Sequence, residues 1–176
     1  ARGAVEFLMK QPNIDAKKIG LIGHSEGATV ASIVASTSTD IAFIVLISGM
    51  GVQGKDILLE QQKLILKASG VSDNLIEQNI DLQKKINDAL IYDKDLNDIR
   101  KDIEAFAEND FESLSPEIKK SIQDKKTYIN STVQSQIAMF NNPWFRFFAG
   151  FDPAAPLKHV KVPVLMTFGG LDLQVP

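Results

Sequence analysis

Five residues, Gly23-His24-Ser25-Glu26-Gly27, stand between an apolar run and a run of small residues. Before them, Lys18-Ile-Gly-Leu-Ile-Gly23 shows no alternation, the pattern of a strand covered on both faces. After them, Ala28-Thr-Val-Ala-Ser-Ile-Val-Ala35 reads as a helix of small side chains able to pack closely on a sheet. A strand that turns this tightly into a helix holds its central residue, Ser25, at strained backbone angles. Its neighbours must therefore be small, and Gly23 and Gly27 are expected to provide the clearance. The helix beneath offers N–H groups and the positive end of a dipole. The Glu26 N–H is then placed to stabilise an oxyanion, worth on the order of 3 kcal/mol per donor. A blander reading makes Ser25 only a helix cap. The matching strand and helix on either side favour a nucleophile.

The alternation continues around this turn. Arg2–Lys10 carries a helical apolar period, and Ile41-Ala-Phe-Ile-Val-Leu-Ile47 is a second buried strand. Val162-Pro-Val-Leu-Met-Thr-Phe168 is a third, opening onto Gly169-Gly170-Leu171-Asp172. Helix, strand, helix, strand predicts an α/β class with an open, mostly parallel sheet flanked by helices. The window from Lys55 to Phe140 differs: it holds most of the charge and a single glycine, Gly70. Four helical patterns lie in it. Ile57–Leu66 and Leu75–Leu90 are two, and Leu96, Ile99, Ile103 and Phe106 form the cleanest stripe. The fourth runs from Ile118 to Phe140, with Ser115-Pro116-Glu117 as its start. Three segments follow: core at 1–52, helical insertion at 53–142 and core again at 143–176.

Composition excludes several function classes. The 176 residues carry a net charge of −3, which gives no basic footprint for nucleic acid or an anionic membrane. No apolar stretch is long enough for a membrane helix. There is no cysteine for a disulfide or thiolate metal site, and only two histidines, His24 and His159. No histidine–carboxylate cluster has metal-ligand spacing and no glycine-rich phosphate loop appears, so no cofactor is expected. The compartment is left open.

Lys17-Lys-Ile-Gly-Leu-Ile-Gly-His-Ser-Glu-Gly-Ala-Thr-Val-Ala31 resembles the nucleophile elbow of α/β-hydrolase-fold serine hydrolases, in their serine aminopeptidase-like and acyl esterase-like branch. The stretch Asp152 to Pro176 is similar to the family's later Pro-Val-Leu strand, glycine turn and triad carboxylate. The resemblance implies that Ser25 attacks an ester, thioester or amide carbonyl, with Asp172 orienting a histidine base. It makes the helical middle a lid inserted between core strands. Asp152 and Asp40 compete less well for the acid role: one reads as a turn, and the other precedes its strand.

The histidine departs from the family pattern. His24 lies inside the elbow, directed away from the place of a base, and His159 precedes the third strand. The family order is Ser, Asp, His. The base is therefore expected beyond residue 176, the second oxyanion donor upstream of residue 1, and the chain incomplete at both ends and inactive alone. The function implied is a carboxylesterase acting on small-molecule acyl esters. A serine peptidase of the aminopeptidase type on short peptides, and a non-catalytic binding module, are the alternatives. Asn142-Pro-Trp144-Phe145-Arg146-Phe147-Phe148 reads first as a hydrophobic hinge and second as an acyl-pocket wall. Met50 is a further candidate for the pocket. Lys119-Lys120 and Lys125-Lys126 read as a solvated helix face.

Overall fold

The computed structural model describes all 176 residues, 1–176. In chain order the elements are α1 (Arg2–Met9), β1 (Leu21–His24), α2 (Glu26–Thr37), β2 (Ile44–Ile47), α3 (Gly54–Ala68), α4 (Asp73–Ile91), α5 (Arg100–Ser113), α6 (Pro116–Ser121), α7 (Lys125–Phe140), α8 (Pro143–Gly150), α9 (Ala154–Leu157) and β3 (Val164–Thr167). Short 3₁₀ turns at Ala16–Lys18 and Leu96–Ile99 precede β1 and α5. The chain forms two compact units: Ala1–Gln61 with Asp152–Pro176, and Gln62–Phe151.

The first unit is mixed helix and strand. Its three strands pair in parallel in the order β1-β2-β3, with Leu21, Ile44 and Val164 in register. Side chains alternate across a strand, so Ile44 and Leu46 share one face and Val45 and Ile47 the other. Ile44 and Leu46 are sealed in a core with Val5, Ile19 and the Ala28, Ala31, Val34 and Ala35 stripe of α2. The small residues of α2 are what allow it to lie this close to the sheet. The opposite face is apolar and open, with Ile22 72% and Leu165 56% exposed. The expected strands are each shorter than their apolar runs. Ladder hydrogen bonds define a strand, and Lys18 is held in the 3₁₀ turn that Asp15 caps through Lys17 N.

The second unit is helical. Ser115 accepts from Ile118 N with Pro116 at the first helical position, the start expected there. The single helix expected from Ile118 to Phe140 is instead two, α6 and α7. Asp124 interrupts it: its carboxylate accepts from Lys126 N and Thr127 N and begins a new helix. The four-residue apolar steps continue across the break and hide it. Nor are the lysines a simply solvated face. Lys119 and Lys125 both bond Glu112 on α5 and lie 5.5 and 5.6 Å from the centre of the Phe111 ring. No helix in the chain is long and apolar enough to cross a membrane.

Candidate active site

β1 delivers Ser25 to the carboxyl edge of the sheet. Ser25 N donates to Ile47 O at 2.9 Å, extending the β1–β2 ladder by one bond, and the chain then reverses into α2. The reversal leaves Ser25 at φ 54°, ψ −120°. A serine at positive φ costs about 1–3 kcal/mol, a strain that the surrounding structure must hold. Ser25 is exposed and its side chain makes no capping hydrogen bond to α2, so the helix-cap role has no support in the geometry. Glu26 is the first residue of α2, which puts its N–H in the helix's first turn beside Ser25.

The two elbow glycines are not equivalent. A Cβ on Gly23 would lie 2.1 Å from Gly27 O and 2.5 Å from Ala28 N, both backbone atoms that cannot move aside. A Cβ on Gly27 would meet nothing within 4 Å. The clearance expected of both is required at Gly23 alone, because Gly23 faces the incoming helix and Gly27 is part of it.

Asp172 lies at the same sheet edge, beyond β3. Its N–H donates to Gly169 O at 3.1 Å, closing the glycine turn. Its Oδ1 accepts from Gln174 N at 2.9 Å and Val175 N at 3.1 Å. These two donors first, and then the Ser48 hydroxyl, hold the carboxyl below its ordinary 3.8; burial opposes them, and the charge of nearby His24 adds the smallest push downward. Ser48 follows β2, is buried, sits at φ 46° and donates its N–H to Thr167 O at 2.8 Å. Ser25, Ser48 and Asp172 thus follow three neighbouring parallel strands at one edge. Ser48 carries no sequence signal of its own: its place beside Asp172 follows from strand order, which brings the end of β2 next to the turn after β3.

The remaining candidates lie elsewhere. His159 follows α9, on the approach to the amino end of β3. Asp152 Oδ1 accepts from Ala154 N at 2.9 Å in the turn that starts α9. Asp40 borders a cavity of about 260 Å³ with Arg2, Glu6 and Thr37, at the far end of α2 from Ser25. Met50, 6% exposed, packs among Ala28, Leu46, Pro153 and Leu157. Trp144, Phe145 and Phe148 belong to the helical unit. There Trp144 stacks on Phe148 at 4.8 Å and meets Phe145 edge-on at 4.8 Å, while Phe145 contacts Phe140 at 5.0 Å.

Residues 2–139 match the family model described as BAAT / Acyl-CoA thioester hydrolase C terminal. The chain belongs to this family. The acyl-CoA thioester hydrolase C-terminal family lies within the α/β-hydrolase superfamily, in keeping with the parallel sheet and its flanking helices. The family match takes in Gly23, Ser25, Glu26, Gly27 and Met50 and ends before Trp144 and Asp172. No curated protein and no solved structure matches the chain. Membership in the acyl-CoA thioester hydrolase family points to a hydrolase with a small-molecule acyl substrate.

Proposed function

We propose that the chain supplies the nucleophile and the acid of a serine hydrolase that cleaves acyl-CoA-type thioesters. The observation that carries this is Ser25: an exposed hydroxyl, free of capping duty, held at φ 54° where a strand turns into a helix. In the reaction the Ser25 oxygen attacks the thioester carbonyl carbon. The carbon–sulfur bond breaks, the thiol leaves with the proton taken from Ser25, and the acyl group remains on the serine. Water then attacks the acyl-enzyme and releases the carboxylic acid. The Glu26 N–H stabilises the tetrahedral oxyanion in both halves.

Asp172 supports the reading by its charge and by its place at the same sheet edge as Ser25. A carboxylate held ionised at that edge orients an imidazole and stabilises the imidazolium that forms. The base is proposed to be a histidine outside residues 1–176. His24 follows Gly23 on β1 and so projects from the sheet face opposite α2, and His159 is near the other edge. The helical unit is proposed to act as a lid, and Trp144, Phe145 and Phe148 to take part in acyl binding. Met50 is proposed to support the floor beneath Ser25.

The test compares acyl-CoA thioesters, p-nitrophenyl esters and aminoacyl anilides as substrates of protein containing this chain. Thioester turnover that exceeds ester turnover and disappears in Ser25→Ala is expected. Preference for p-nitrophenyl esters returns the assignment to a carboxylesterase, and preference for anilides to an aminopeptidase-type enzyme. Thioester turnover that persists in Ser25→Ala overturns the mechanism.

A further inference from the structure

One peptide group, between Ile47 and Ser48, joins the two strand ends that carry the proposed nucleophile and acid. Its carbonyl, Ile47 O, accepts from Ser25 N at 2.9 Å, and its N–H, on Ser48, donates to Thr167 O at 2.8 Å. A peptide group is a rigid plane, so the elbow on one side and the end of β3 on the other are tied to the same frame. The turn that follows is packed just as closely. A Cβ on Gly49 would lie 2.9 Å from the Cβ of Ala28, in the first turn of α2.

Serine is not the residue that this backbone favours. At φ 46° glycine is easier, and the other non-glycine residues at positive φ are Ser25 and Asp93. Strain of this kind gathers at functional sites, where a side chain has a use for it. The Ser48 side chain is a hydroxyl on a residue only 7% exposed, so it needs a partner inside the protein. The Asp172 carboxyl is the group it meets. That carboxyl is already divided. Oδ1 accepts from both Gln174 N and Val175 N, which fills the two lone pairs of one oxygen. The acceptor capacity that is left belongs to Oδ2.

We propose that Ser48 is a positioning residue for Asp172: its hydroxyl donates to Oδ2 and turns the carboxylate so that the other lone pair of that oxygen meets the N–H of the catalytic imidazole. Ser48 touches neither the substrate nor the reacting atoms and acts through Asp172. Its peptide group keeps Ser25 and the acid in one frame, and its side chain sets the angle at which the acid addresses the base. That angle matters because an imidazole in the wrong direction or tautomer cannot take the serine proton. The inference rests on the reading of Ser25 and Asp172 as nucleophile and acid.

The test compares Ser48→Gly and Ser48→Ala in protein containing this chain. Both remove the hydroxyl. Glycine suits φ 46° and alanine keeps the strain, so an effect shared by the two belongs to the hydroxyl and not to the backbone. Each should lower kcat for a thioester about tenfold with KM little changed, the scale of one hydrogen bond to a charged group. The Asp172 carboxyl carbon, followed by NMR, should titrate at higher pH in both. A residue that acts through Asp172 adds no further loss when Ser48→Gly is placed in an Asp172→Asn background. Losses that multiply in that double variant, an unmoved Asp172 titration, or unchanged kcat in both single variants overturn the proposal. If the alanine variant folds poorly, the glycine variant decides. Failure of the underlying reading looks different: Asp172→Asn alone then keeps its kcat, or Ser25→Ala keeps turnover, while the Asp172 titration still moves in Ser48→Gly. Either result takes away the acid or the nucleophile and the proposal with it.

Discussion

Gly23 and Gly27 meet across the elbow so closely that a Cβ on Gly23 would lie 2.1 Å from the Gly27 carbonyl oxygen, whereas a Cβ on Gly27 would meet nothing. Two outwardly similar substitutions should therefore differ. Gly23→Ala forces backbone against backbone and lowers stability by about 1–3 kcal/mol or more. Gly27→Ala lies in the first turn of α2 and is neutral or gains up to about 1 kcal/mol through reduced chain entropy. Urea unfolding midpoints of the two variants check the difference. Equal losses would contradict this account of the turn.

Asp172 makes stability depend on acid. Its folded-state carboxyl is held below the ordinary 3.8, chiefly by Gln174 N–H and then by Val175 N–H and the Ser48 hydroxyl. A lowered folded-state pKa contributes stability that is fully present above the unfolded value and is lost as pH falls through the folded one. Asp172→Asn should flatten the stability profile in that acid window and leave its shape near neutrality unchanged. His24→Ala should move the Asp172 titration upward, toward its ordinary value. NMR titration of the carboxyl carbon, with unfolding midpoints across acid pH, measures both.

The start of α8 rests on one side chain. Asn142 Oδ1 accepts from Trp144 N at 2.8 Å, and Pro143 fills the first helical position. Asn142→Ala should cost about 1 kcal/mol. Trp144 is the single tryptophan of the chain, so its fluorescence reports the loss directly. An unchanged transition followed at Trp144 would show that the aromatic packing alone defines the helix end.

Neither histidine of the chain is given the role of base. In protein that turns over thioester, His24→Ala and His159→Ala should each keep kcat within a few-fold, whereas loss of a catalytic base lowers it by about 10³-fold or more. A collapse of kcat in either variant would place the base within these residues.

The elbow was legible because its signals are local: an uninterrupted apolar run, a glycine that must pass a helix, and small residues on the helix that follows. The division between α6 and α7 was not, because Ile118, Ile122 and Ile129 keep helical spacing straight through the break. There the Asp124 carboxylate, bonding two backbone N–H groups, outweighs periodicity. The role of Ser48 depends on strand order, which brings the end of β2 beside the turn after β3; no spacing along the chain encodes that.

The central claim is that Ser25 is the nucleophile, and covalent labelling tests it most directly. Protein containing this chain is treated with a fluorophosphonate, digested, and the modified peptide located by mass spectrometry. The account predicts a single adduct on Ser25, in the peptide that follows Lys18, and no labelling of Ser25→Ala at the same dose. An adduct on another residue, or undiminished labelling of Ser25→Ala, would contradict it.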